Sequence, residues 1–250
     1  MKATGNRLIV TRHTTLERMS HYINIITLTG LIISGFTIYL GLDYLEFSDA
    51  YAIHIICAAI FISVNWIVMP YNAFVSRNLH SYVFWPQDYK RLIKIIKNFF
   101  TGSEYPRYTI YDMGKRRFVN RIHPAGKLLI YSHYVALLVA TVTGVALYSS
   151  GVSLFGINFS IFIIKLLDIV GPLVSLSGLA TAKLLHVAAG YWFVIEIILH
   201  AGMIQLDSRK LQHIRSIFID GKEDLARDET AEIVSTEEED RILEDKIWNK

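Results

Sequence analysis

The sequence has a single cysteine, Cys57, which lies inside an apolar run. That excludes a disulfide framework, a cysteine-based zinc site and an iron–sulfur motif. Any redox centre must be held by other side chains. An internal repeat is missing as well, and no small-residue cleavage pattern follows the first apolar run, which reads as an uncleaved first span. Net charge is only +3, and no nucleic-acid partner is expected. What is abundant is apolar surface: 52% of the 250 residues are hydrophobic and mean hydropathy is +0.36. An ordinary soluble domain has about 45–50% even with glycine counted, so the expected solvent is the bilayer.

Crossing a hydrocarbon core takes about 20 mostly apolar residues as a helix. Four stretches reach that length, at residues 22–42, 51–69, 128–149 and 182–204. A fifth, residues 157–179, is interrupted by Lys165, Asp168, Gly171 and Pro172 and is expected to lie on the membrane surface. The expected fold is an all-α integral membrane four-helix bundle with an interfacial outer helix and cytoplasmic amphipathic segments. Residues 1–215 would form the membrane domain and 216–250 an acidic cytoplasmic tail, soluble and partly disordered from Asp220 onward.

The cations set the orientation. Of 25 Lys and Arg, 4 precede the first span, 11 fall in the loop from Pro70 to Lys127 and 8 follow the last span; only Lys165 and Lys183 fall opposite. Arg18, Arg77, Arg121, Lys127, Arg209 and Lys210, near span ends, all favour the same side. The positive-inside bias then puts both termini in the cytoplasm and the chain in the cytoplasmic membrane. The first outer loop agrees, with Asp43, Glu46 and Asp49 and no cation. Within the long loop, residues 87–100 set Leu92, Ile93, Ile95 and Ile96 among Arg91, Lys94 and Lys97, the pattern of a helix at the lipid interface.

Five of nine histidines fall within or at the start of spans: His21, His54, His133, His186 and His200. Ionisable groups at such depths are costly and need a reason. With alternating span directions, His21 and His200 lie near the inner face and His54 and His186 near the outer face. The fourteen residues from His186 to His200 fall about 40° short of four turns, so both project from nearly one face, ~21 Å apart along the axis. Two stacked bis-imidazole sites result, suited to two haem b groups, which take axial ligands from the protein without thioether attachment. Gly30, Gly35, Gly144 and Gly190 leave room near them. His133 has no depth-matched histidine and reads as a packing or hydrogen-bonding residue. His13, His80 and His213 read as solvated, and Glu196 either takes part in proton uptake or bonds to a neighbour.

These residues resemble the di-haem cytochrome b (gamma) subunits of membrane-bound formate dehydrogenases and nickel–iron hydrogenases. Glu17-Arg18-Met19-Ser20-His21-Tyr22 is similar to that family's E-R-x-x-H-W/Y opening, Ser34-Gly35 and Thr143-Gly144 to its small-residue–glycine steps, and His186-x13-His200 to its paired ligands. The tail from Arg215 to Arg227 resembles the cytoplasmic end of formate dehydrogenase versions. The resemblance implies an electron-transfer subunit, not catalytic alone. It would receive electrons from an outward-facing catalytic subunit through an iron–sulfur subunit, in a complex that can oligomerise further. It also implies a quinone near the opening of span three, by His123, Ala125 and Gly126. Here His123 stands where Asn is usual and Gly126 where Gln is usual, which leaves menaquinone or methanophenazine as acceptor.

Two other classes are weighed. A proton-coupled transporter would use the histidines as a relay, but no repeat or broken-helix pair supports it. A non-haem metal enzyme would use histidine and carboxylate, but the membrane histidines occur singly at opposite depths.

Overall fold

The computed structural model describes residues 7–148, 150–171, 175–206, 210–235 and 237. The elements begin with β1 (Ile9–Thr11), α1 (Thr15–Leu40) and α2 (Phe47–Ser63), which runs through a π-helical turn (Val64–Val68) into α3 (Met69–Val75). Next come α4 (Leu79–Tyr82), α5 (Pro86–Thr101), the strands β2 (Thr109–Asp112) and β3 (Arg117–Asn120), and α6 (Pro124–Leu147). A short hairpin, β4 (Ser153–Leu154) and β5 (Ile157–Asn158), leads to α7 (Phe159–Val170) and α8 (Gly178–Leu206). Then follow α9 (Lys210–Arg215), a second π-helical turn (Ser216–Asp220), β6 (Lys222–Asp224), a 3-10 turn (Leu225–Arg227) and β7 (Ala231–Val234).

Among the described residues, four helices are long and apolar enough to cross a membrane: Thr15–Leu40, Phe47–Val75, Pro124–Leu147 and Gly178–Met203. Each contains most of an expected span but extends beyond it. The first starts early because Thr14 and Glu17 form a reciprocal capping box: Thr14 N–H donates to Glu17 Oε2 (2.8 Å) and Glu17 N–H to Thr14 Oγ1 (3.1 Å). The second was expected to stop before Pro70, and instead passes it. A proline inside a helix lacks the N–H for its i−4 bond and clashes with that carbonyl; the π-helical turn just before Pro70 widens the ladder there. The fifth apolar stretch forms α7, 12 residues long and too short to span, before α8 begins at Gly178. Asp168, which interrupts that stretch, accepts from the Gly178 N–H at the start of α8 (2.5 Å).

The chain divides into two compact units. The membrane unit comprises residues 24–64 and 131–201. Its interior is small and polar, with Thr27, Ser34, Thr37, Thr143, Ala182 and Ala189 buried, while Ile26, Ile33 and Ile198 are exposed. This reversal suits a lipid solvent, where close helix approach by small residues replaces hydrophobic exclusion. Phe61, Ala136, Leu137 and Phe193 form its apolar centre. The β4–β5 hairpin turns through Phe155 and Gly156, both with positive φ (52° and 78°), the geometry of a two-residue I′ turn. Ser160 ties this hairpin to α6, accepting from Val152 N–H (3.0 Å) and donating to Val145 O (2.6 Å).

The polar unit comprises residues 1–23, 65–130 and 202–250. Its sheets were not anticipated, nor was the order of the C-terminal segment: residues 222–234 were expected to be partly disordered and instead supply strands. β6 pairs antiparallel with β1, and β7 joins β2 in parallel beside the β2–β3 hairpin. Val10, Tyr111, Phe118 and Leu225 pack between them. Short strands conceal such pairing in sequence, and β6 and β7 lie far along the chain from their partners β1 and β2. The acidic run 237–240 lies, beyond Glu237, outside the described residues, as do Arg209 and Pro172.

Buried ion pairs hold the polar unit. Arg121 pairs with Glu17 and donates a further bond from Nη2 to the Tyr82 hydroxyl (3.2 Å). Arg12 pairs with Glu223 and donates to Arg121 O (2.6 Å). Burial opposes the Arg121 charge, yet Glu17 and Tyr82 more than offset it, and its pKa is raised. Lys127, at the start of α6, donates to Asp88 (2.7 Å) and Val83 O (2.9 Å).

Candidate functional site

Within the membrane unit, α2 carries His54 and α8 carries His186, and their ring centroids lie 6.1 Å apart with planes at 64°. Each Nδ1 meets a hydroxyl from a neighbouring helix: Ser34 Oγ of α1 at 3.1 Å from His54, Thr143 Oγ1 of α6 at 2.9 Å from His186. Both hydroxyls donate their own hydrogen one turn back, Ser34 to Gly30 O and Thr143 to Val139 O, each at 2.6 Å. They therefore accept from the imidazoles, which fixes the Nδ1–H tautomer and leaves each Nε2 lone pair for a metal. The next residue in both cases is glycine. A Cβ at Gly35 would stand 3.2 Å from His54 Cε1, and one at Gly144 3.4 Å from His186 Cε1.

This arrangement fits an axially held haem. Two imidazoles bound at about 2 Å on opposite sides of one iron have ring centres roughly 6 Å apart. Ser34-Gly35 and Thr143-Gly144 thus serve two tasks each, orienting the imidazole by the hydroxyl and keeping space beside it by the glycine. His54 and His186 come together as the sequence reading expects; the orienting hydroxyls were not foreseen, although both dipeptides were noted.

His21 lies in the polar unit, where Phe218 packs edge-on against its ring at 5.1 Å. The Tyr22 hydroxyl donates to Phe218 O (2.6 Å) and Arg18 to Ile219 O, so the second π-helical turn is fastened beside His21. His200 lies in the membrane unit, one turn beyond Glu196 on α8.

His133, read from the sequence as a packing or hydrogen-bonding residue, bonds Glu196, whose carboxylate oxygens are 2.9 and 3.1 Å from Nδ1. Phe61 and Phe193 close around the ring edge-on at 5.9 and 5.4 Å. Among the described residues no group of three or more His, Cys, Asp or Glu converges as a metal-ligand set.

His123 is the residue before α6 and caps it: Ala125 N–H donates to Nδ1 (3.1 Å), so Nε2 carries the hydrogen and meets the Tyr105 hydroxyl at 2.8 Å. Tyr108 packs against the same ring at 5.0 Å. Gly126 sits beside it, where a Cβ would contact Ile122 and His123 at 3.5 and 3.8 Å. The solvated reading of the remaining histidines is corrected. His80 donates from Nε2 to Phe118 O (2.9 Å), and His213 approaches Glu223 (3.7 Å). His13 lies among Arg12, Arg121 and Glu17; burial first, then the two guanidinium charges, push its pKa well below the usual histidine value.

Comparison with known proteins agrees with this geometry. The chain is similar to the F420 non-reducing hydrogenase II cytochrome subunit of Methanosarcina mazei, 35% identical over 237 residues, covering 90% of this chain and 88% of that one. The family model described as prokaryotic cytochrome b561 matches residues 12–219, from the buried Arg12 to the turn beside His21. With four membrane-length helices and a paired imidazole site inside them, the chain belongs to the prokaryotic cytochrome b561 family and is a multi-pass membrane cytochrome b that serves electron transfer.

Proposed function

We propose that this chain is the membrane electron conduit of a hydrogenase-type complex, holding two haem b groups on four histidines. The observation that carries the reading is the His54–His186 pair, with both Nδ1 atoms committed to hydroxyls and both Nε2 lone pairs left for iron. His21 and His200 are the second pair, supported by the near-four-turn separation of His186 and His200 and by their matched depths in the sequence. Bound haem supplies reversible one-electron chemistry; the protein supplies ligands, spacing and a dry interior. Ser34 and Thr143 hold the imidazole planes, and the apolar centre around Phe61 and Phe193 keeps water from the bundle.

The name of the Methanosarcina mazei relative favours a hydrogenase over a formate dehydrogenase as electron source. An iron–sulfur subunit would hand electrons to the His54/His186 side, taken as the outer side by the cation distribution. The acceptor, menaquinone or methanophenazine, would bind near His123, Ala125 and Gly126. There the Tyr105–His123 hydrogen bond offers a chain for proton delivery next to a helix N-terminus.

The test is a count of haem. Pyridine haemochrome and reduced-minus-oxidised spectra of the purified protein should give two haem b per chain, and His186→Ala and His200→Ala should each remove about one. A folded protein that takes up no haem would overturn the reading. Loss of both haems on either substitution alone, with the fold intact, would overturn the assignment of separate pairs.

A further inference from the structure

Helix α5 is anchored at one end and bare along much of its length. Its first turn is fixed by Asp88, which is fully buried, accepts from Trp85 N–H (2.9 Å) and pairs with Lys127 in the first turn of the third span. Arg91 bonds the same carboxylate (3.2 Å). This contact ties α5 to the first turn of α6. At 100° per residue, Tyr89, Ile93, Ile96 and Phe100 fall within about 60° of one another. All four are 49–79% exposed, so this apolar stripe is not packed against the protein. Lys90, Lys94 and Lys97 form a second exposed stripe directly beside it.

On the other side of the lysines the chain doubles back. Gly102 takes the left-handed conformation (φ +64°), its N–H closing the helix on Asn98 O (2.8 Å), and the Asn98 side chain holds Ser103 O. The returning segment brings Arg107 and Tyr105 beside Arg91, Lys94 and Lys97, around an open groove of about 420 Å³. Four cations line it against one carboxylate, Glu104.

We propose that α5 and the 103–107 turn form a binding site for an anionic phospholipid. The phosphate sits among Arg91, Lys94, Lys97 and Arg107, and the acyl chains lie along Ile93, Ile96 and Phe100. Three features select lipid over a soluble anion: the apolar stripe runs parallel to the cations, it is exposed, and the Asp88–Lys127 pair fastens α5 to the first turn of a helix long and apolar enough to span. A helix with cations on one side and exposed Phe and Ile on the other is built for an anionic interface. The proposal is independent of the number of haems.

The experiment is native mass spectrometry of the full-length protein, purified and delipidated in detergent, with phosphatidylglycerol or phosphatidylcholine added. Phosphatidylglycerol should be retained in preference to phosphatidylcholine. Lys94→Gln, Lys97→Gln and Arg107→Gln should each weaken retention roughly fivefold, and Ile93→Ser with Phe100→Ser should weaken it as well. Equal retention of the two lipids by the unaltered protein would overturn the proposal, and that comparison needs no variant. So would displacement of phosphatidylglycerol by equimolar inorganic phosphate, which would mark a free-anion site, or full retention in the triple cation variant.

Discussion

Ser34 and Thr143 are single side chains with more influence than their size suggests. Outer partners that fix an imidazole's tautomer commonly carry 10–100-fold in metal affinity. Thr143→Val, which keeps shape and loses the hydroxyl, should weaken haem binding at His186 by about that factor, as measured by titrating haem into the apoprotein. Unchanged affinity would remove the hydroxyl from the site. His13 makes a different kind of prediction. Its pKa is depressed when folded, so the unfolded chain binds more protons once pH falls below the ordinary histidine value of 6.5. Stability should therefore be full above that pH and decline below it, and His13→Gln should flatten the decline in thermal unfolding followed between neutral and mildly acidic pH. Both dipeptides, Ser34-Gly35 and Thr143-Gly144, were visible in the sequence as motifs. Their partners were not, because rotational register between helices far apart in sequence leaves no local mark. His133 and Glu196, 63 residues apart, were hidden from one another for the same reason.

Among the elements, the start of α1 concentrates the most consequence in the fewest residues. Glu17 closes the capping box and also neutralises the buried Arg121. Arg121→Met should cost about 3–5 kcal/mol, since it strands a buried carboxylate, and Arg121→Met with Glu17→Met should recover much of that. Melting temperatures of the purified variants check it; a double variant no better than the single one would count against the pairing as the cause. The four spans were legible because about 20 apolar residues in a row admit few other readings. Their ends were less so. Thr14-x-x-Glu17 is a recognisable helix start, and using it would have moved the boundary to where it lies. Passage through Pro70 could not be read locally, because the π-helical turn that accommodates it depends on the helix continuing on both sides. The strands of the polar unit are three or four residues long, too short for any periodicity to stand out.

At the scale of the whole molecule, the membrane unit keeps many small and hydroxylated side chains inside around one apolar centre and many large apolar ones outside, whereas the polar unit packs around ion pairs and short sheets. The proposed orientation puts the turn after the first span on the outer side and the β2–β3 hairpin in the cytoplasm. In a Cys57→Ala background, Asp43→Cys should react with a membrane-impermeant maleimide in intact cells, while Met113→Cys should react only after lysis. The reverse pattern would invert the protein and every assignment of inner and outer face with it.

The pairing of β1 with β6 joins residues 9–11 to residues 222–224, and Phe218 lies against His21. A ribosome releases the first of these partners long before the second. The four spans can enter the bilayer and bring His54 to His186 while the sheet still lacks its last strands. The setting of His21 is completed only when the final segment emerges. A chain interrupted after α8 would keep the residues of the His54–His186 pair yet lack β6, β7 and the Phe218 ring that packs on His21.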